Sequence, residues 1–289
     1  MAPFAFPQLG EYEVRGQIGT GAHSTIHEAV EQASGRRVAI KHVVRRGPED
    51  DRFLVQTENE YEIAHQLDHP YLRKCHRIIR VRKWFKTREL FVIMELVDGD
   101  TLEHECPREL DDVTEIFIHI ADGLHAMHMA GFAHADFKPK NVLLSKQGGP
   151  KIIDFGQSCP LGHQKTRVQG TPAFMAPEQV ARHPIDQRTD VFSLGASMYW
   201  VVTGKEFKTA MPSAPAGTKK VALADRVGSE PPHEVNRNVP PPLSRLIMDC
   251  CDPVMSARPG DMRAVISRLE TIQHLLRRGA DAPAGKSGP

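Results

Sequence analysis

The feature that most constrains the fold is a change of hydrophobic period near Asp98. Before it, β-branched and aromatic runs alternate with Gly, Ser and charged turns; after it, apolar residues recur at helical spacings of three, four and seven. Such an order predicts an α+β protein with two unlike lobes and a cleft between them. Strands are expected over 12–18, 25–30 and 37–43, with Ser34-Gly35 as a turn, and over two runs between 78 and 95 that turn at Lys86-Thr87-Arg88-Glu89. Helices are expected over 53–67 and, after a cap at Asp111 or Asp112, along the stripe from Val113 to Met127, closed by Gly131. Further helices follow over 190–202, apolar on nearly every face and so buried, over 244–251 and over 262–276.

Bulk properties set the outer limits. At 289 residues the chain suits one large domain or two closely packed lobes. Its 37 basic and 36 acidic side chains give no global reason to expect nucleic acid or an anionic membrane. Five cysteines without a Cys-x-x-Cys pair favour free thiols and a cytoplasmic setting. There is no signal-like start and no run of about 18 apolar residues, so no membrane-spanning segment is expected. Residues 1–10 read as an extended lead-in, 205–242 as a Pro-rich connection and 277–289 as a flexible tail. The densest basic cluster, Arg73, Lys74, Arg77, Arg80, Arg82, Lys83, Lys86 and Arg88, surrounds Trp84 and Phe85. Of a nucleic-acid or acidic-partner surface and the solvated face of a hairpin, the second is preferred.

Chemistry concentrates in 134–156. Two apolar runs, Val142-Leu143-Leu144 and Lys151-Ile152-Ile153, flank a turn at Gln147-Gly148-Gly149 and predict a hairpin that draws together Asp136, Asn141 and Asp154. Asp and Asn oxygens suit magnesium, which takes few protein ligands beside phosphate oxygens; Asp136 is left to orient a hydroxyl. Gly19 and Gly21, at a strand-to-strand connection, permit close backbone approach to phosphate. Glu60 falls on the buried stripe of its helix and needs a cation, for which Lys41, alone in an apolar strand, is the candidate.

In order, Gly19-x-Gly21-x-x-Ser24-x-Ile26, Val38-Ala39-Ile40-Lys41, Glu60, His134-x-Asp136 with Asn141, Asp154-Phe155-Gly156 and Ala176-Pro177-Glu178 resemble the eukaryotic-type (Hanks-type) protein kinase family over about 11–276. The resemblance implies an N-lobe over 11–94, a hinge over 95–97 and a C-lobe over 98–276. It also implies transfer of the γ-phosphoryl group of ATP, with Mg2+ or Mn2+, to protein substrates, the chain itself included. By resemblance, Ile18, Gly19, Gly21, Ile26, Ala39, Met94, Glu95, Val97, Asp100 and Leu143 surround the nucleotide. Lys41, paired with Glu60, holds its phosphates, Asn141 and Asp154 hold the metal, Asp136 is the base and Lys138 steadies the γ-phosphate. Glu178 with Arg258, Asp190 and His134 are implied as scaffold. Lys138 and Gly170-Thr171-Pro172 resemble Ser/Thr rather than Tyr kinases, with Thr171 bracing Asp136 and Lys138. No nucleic-acid partner is expected.

Two departures stand out. Ser24 replaces the third loop glycine, and Ala135 replaces the usual Arg, which marks the non-RD subgroup, possible in a bacterial chain. Without that Arg, and with Arg167 where many relatives carry a phosphorylated Thr, phosphorylation at Ser158 or Thr166 is not expected to be a strict switch. Rival readings are a pseudokinase scaffold and a small-molecule phosphotransferase. The complete set of Lys41, Glu60, Asp136, Asn141 and Asp154 opposes the first, and the segment 170–178 the second.

Overall fold

The structure, a computed structural model, describes residues 6–21, 23–146, 148–209 and 229–280. Among the described residues, ten strands and seven helices follow in the order β1 (Tyr12–Thr20), β2 (Ser24–Glu31), β3 (Arg37–Val44), α1 (Asp51–Ala64), β4 (Cys75–Lys83), β5 (Lys86–Glu95), β6 (Gly99–Thr101), α2 (Leu110–Met129), β7 (Phe132–Ala133), β8 (Val142–Ser145), β9 (Gly149–Ile152), β10 (Cys159–Pro160), α3 (Pro177–Ala181), α4 (Gln187–Thr203), α5 (Pro232–Val235), α6 (Pro241–Cys250) and α7 (Met262–Ala280). They fall into two compact units, one of residues 1–100 with 143–158, the other of 101–142 with 159–289.

The first unit is built on an antiparallel sheet ordered β1-β2-β3-β5-β4. The inner strands β3 and β5 bury Val38, Ala39 and Ile40 and the run Leu90–Met94, among which Val38, Ile40, Phe91, Val92 and Ile93 have the β-branched or aromatic character that suits a buried sheet. The β4–β5 turn lies at Trp84-Phe85 and not at 86–89, where the sequence places it; Lys86–Glu89 continue β5. Residues 6–9 are not an extended lead-in either. Pro7–Leu9 makes a helical turn, Leu9 is buried, and the Phe6 ring meets His27, His42 and Phe91 edge-on at 5.0 to 5.5 Å.

The expected hairpin forms as β8 and β9, with β6 beside β8. At Gly99 a Cβ would stand 1.9 Å from the Leu144 carbonyl oxygen, so only glycine allows this approach. A single cut after the hinge would assign the hairpin to the helical unit. Instead Leu72 bridges Ile152, Arg73 N–H donates to Ile152 and Ile152 N–H to Tyr71, and the Asn59 amide donates to the Ser158 carbonyl, which ties 143–158 to the sheet unit.

The second unit is helical. α2 buries Val113, Phe117, Ile120, Leu124 and Met127; its N-cap position is Glu109, and Asp111 and Asp112 sit in the first turn, where acidic groups favour the helix dipole, instead of capping it. α4 is buried on nearly every face, capped by Asp186 and closed by Gly204 at φ 69°. α7 runs past Leu276, and Arg277 in its last turn pairs with Asp111 and Glu115 of α2. The expected tail from 281, half of the connection within 205–242 (210–228), lead-in residues 1–5 and the turn residue Gln147 lie outside the described residues.

Candidate active site

In the first unit, register places Lys41 of β3 between Ile26 of β2 and Val92 of β5. α1 buries Leu54, Thr57, Glu60, Ile63 and Ala64, so the Glu60 carboxylate is 0% exposed. It accepts from Lys41 Nζ at 2.5 Å and from Arg73 Nη2 at 3.1 Å. Burial disfavours the Lys41 cation, but the charges of Glu60 and Asp154 and the Glu60 hydrogen bond outweigh it and hold the amine above its usual pKa. Arg73 is a correction: assigned by sequence to a solvated face, it is buried beneath Glu60. Nothing along the chain sets it apart, because Lys74 beside it is a second cation and its partner Glu60 lies on another element.

A cavity of about 200 Å³ lies next to this pair, lined by Gly21, Ser24, Lys41, Gln56, Thr57 and Asp154 among others. The loop above it is tight: Gly21 N–H donates to the Ser24 carbonyl at 2.8 Å, and a Cβ on Gly21 would come within 2.7 Å of Ser24 Oγ. Its tip is held down by His23, stacked on Phe53 at 3.6 Å with Nδ1 3.4 Å from the Asp50 carboxylate. Asp154 is in left-handed backbone at φ 67°, sparsely populated for a non-glycine residue.

The residues expected around a base are in the same unit. Ala39 and Met94 are buried cross-strand partners and Gly19 pairs with Ile26, while Ile18 is exposed and Leu143 is half-buried on β8. Val97 and Asp100 follow β5, half-buried and exposed respectively. Glu95 is occupied: its N–H donates to the Lys74 carbonyl at 2.9 Å and its carboxylate holds Lys151 at 2.8 Å.

In the second unit, Asp136 is held on both oxygens. Lys138 Nζ is 2.9 Å from Oδ2, Thr171 Oγ1 donates to Oδ1 at 2.9 Å, and Lys138 also reaches Thr171 at 2.5 Å. The buried Asn141 donates its amide N–H to the Asp136 carbonyl at 3.0 Å, which orients its side chain. Beneath, Asp190 accepts from His128 Nε2 and from the N–H groups of His134 and Ala135, each at 2.8 Å. Gln179 Nε2 donates to the Ala135 carbonyl at 2.8 Å, and Glu178 takes a two-pronged bond from Arg258 at 2.8 and 2.9 Å. Of the two metal ligands expected, Asn141 belongs to this unit and Asp154 to the other. His128 and Gln179 are absent from the sequence-based set. Nothing marks His128 along the chain, and Gln179 is visible only as the residue after Ala176-Pro177-Glu178.

In the first unit the residues fit the phosphates of a nucleotide: a cation held by a buried carboxylate, a hard oxygen donor on Asp154 and a cavity lined by the Gly21 loop. A family model described as protein kinase domain matches residues 12–270. Among characterised proteins, the chain is 30% identical to serine/threonine-protein kinase PknA of Mycobacterium tuberculosis, over 97% of this chain and 66% of that protein. It is 24% identical to a probable serine/threonine-protein kinase of Clostridium acetobutylicum, over 91% of this chain and 40% of that one, and 28% identical to one of Corynebacterium efficiens, over 96% and 43%. The chain thus spans just under two thirds of the first relative and less than half of the others.

Proposed function

Since the chain belongs to the protein kinase domain family, we propose that it transfers the γ-phosphoryl group of ATP to Ser and Thr hydroxyls of protein substrates, itself included, as a bacterial-type kinase of the non-RD subgroup. The observation that carries this reading is the Asp136–Lys138–Thr171 triangle. It links a carboxylate able to orient a hydroxyl, a cation for the transferred group and the segment that opens the protein-substrate platform. Bound Mg2+, or Mn2+ in its place, would supply charge neutralisation across the phosphates.

Lys41, kept cationic by Glu60, binds the α- and β-phosphates, and Gly19 and Gly21 cover them. Asn141 and Asp154 would hold the metal, Asp154 from left-handed backbone. Ala39, Met94, Ile26, Ile18 and Leu143 enclose the base, Asp100 reaches the ribose, and the hinge donor comes from Val97, because the Glu95 N–H is committed to Lys74. Asp136 accepts the substrate hydroxyl proton as Lys138 steadies the γ-phosphate. Five free cysteines favour a cytoplasmic site of action.

Incubation with Mg-ATP and a basic protein substrate, read by intact mass, tests this. Asp136→Asn is expected to lower phosphate transfer about a thousandfold; transfer at the wild-type rate excludes Asp136 as the base. ATP binding without transfer by the wild type indicates a scaffold.

Regulation follows from Ala135, fully buried at φ 58° and packed with Ala133, Cys159, Ile185 and Leu161. No guanidinium is present there to capture a phosphate, and of the two candidate acceptors Thr166 is exposed while Ser158 is buried. Phosphatase-treated protein is therefore expected to retain its activity. Inactivity that is relieved only by phosphate on Thr166 or Ser158 would reverse this conclusion.

A further inference from the structure

The tip of the β4–β5 hairpin is built against local preference. Trp84 and Phe85, its two turn residues, are 87% and 99% exposed; among the described residues no other two large hydrophobic side chains this exposed are adjacent. Trp84 has φ 57° and Phe85 does not share the positive φ, the pattern of a type II′ turn, whose first position favours glycine. Lys83 and Lys86, which flank the turn, are directly opposed across the strands, where like charges repel. Three unfavourable choices thus coincide at one apex.

The charge left outside ion pairs around it has one sign. The neighbouring carboxylates are engaged elsewhere, Glu58 and Glu62 with Arg80, Glu89 with His42 and Asp51 with Arg45. None of the ion pairs among the described residues uses Arg82, Lys83, Lys86 or Arg88, all four of them exposed.

We propose that this apex is a docking surface for an anionic lipid bilayer, with the Trp84 and Phe85 rings entering the interface and Arg82, Lys83, Lys86 and Arg88 meeting headgroup phosphates. The observations favour a bilayer over a macromolecular partner. Single-stranded nucleic acid is bound by grooves and sheet faces on which bases stack in succession, whereas these rings occupy a turn. A convex tip with an aromatic apex and a cationic collar suits a planar interface: Trp prefers the headgroup level, and each nearby cation contributes to attraction by anionic lipid. The proposal is independent of the kinase reading.

The test is co-sedimentation of the whole chain with phosphatidylcholine vesicles, with and without phosphatidylserine. Pelleting is expected only with phosphatidylserine, weakening as salt is raised. Trp84→Gly and Lys83→Glu are each expected to lower the bound fraction about tenfold. Both should keep or raise the unfolding midpoint, since glycine suits the turn and Glu opposite Lys86 replaces repulsion by attraction. The proposal is overturned if the wild type does not pellet with phosphatidylserine or if both variants pellet as it does. It is also overturned if the chain binds oligothymidylate or polyglutamate, and not vesicles, through Trp84.

Discussion

Asp190 touches no reacting group in this scheme, yet it sets the geometry of the catalytic loop. Its carboxylate takes three hydrogen bonds, two of them from the consecutive N–H groups of His134 and Ala135, and so holds Ala135 in left-handed backbone that costs a non-glycine residue about 1 kcal/mol. Burial would raise the pKa of Asp190. The His128 hydrogen bond, the charges of His128 and His134 and the Ala135 N–H together prevail and lower it. A carboxylate depressed in the folded state stabilises above its unfolded pKa, near 4, and loses that contribution as pH falls through the folded value. Asp190→Asn is therefore expected to cost about 3 kcal/mol at pH 7. Urea unfolding should show the gap from wild type narrowing below about pH 4. A gap of the same size at both pH values would mean that shape, not charge, is what Asp190 supplies.

At the scale of elements, what was legible depended on how many residues carried the signal. α4 is readable as buried because its apolar residues cover almost every face, and the structure buries twelve of its residues, from Thr189 to Val202. The β4–β5 turn was misplaced because Lys86-Thr87-Arg88-Glu89 has the polarity of a turn, while the real one is made of two aromatic residues, against turn propensity. Of the polar groups of α4 only Asp190 is marked by the sequence; Ser193 and Ser197 return hydrogen bonds to carbonyls four residues back on the same helix. Gly195 admits α6. A Cβ there would stand 2.5 Å from Cys250 Cβ and 2.9 Å from Cys251 Sγ, closer than side chains pack. Alanine has the higher helix propensity, so an isolated α4 would gain from it. In the protein, Gly195→Ala is expected to destabilise by about 2 kcal/mol through overpacking. A raised thermal midpoint for this variant would show that α6 can withdraw freely.

Across the whole molecule, the order of motifs made the family legible, because Lys41, Glu60, Asp136, Asn141 and Asp154 are each short local signals. The partition into units was not, since it depends on backbone bonds between distant segments, such as Arg73 N–H to Ile152, that no local pattern encodes. Arg73 escaped for the same reason, its role being set by Glu60 on another element. The cysteines give the same contrast in measurable form. By sequence they are five free thiols, and free they are, but Cys75, Cys159, Cys250 and Cys251 are buried. Burial pushes Cys75 and Cys250 up to about 12 and Cys159 up to about 11, and Cys251 well above its usual value. The thiolate is the reactive species, so these four should be inert at pH 8 as long as both units stay folded. Cys106, half-buried and raised by a smaller burial effect, is the one thiol open to slow attack. Titration with a chromogenic disulfide is expected to give no more than one slow equivalent in the native state and five in urea. Peptide mapping assigns the sites. Fast native labelling at Cys75 would place an opening in the sheet unit, and at Cys159 in the helical one, because local unfolding is the only route by which a reagent reaches either sulfur.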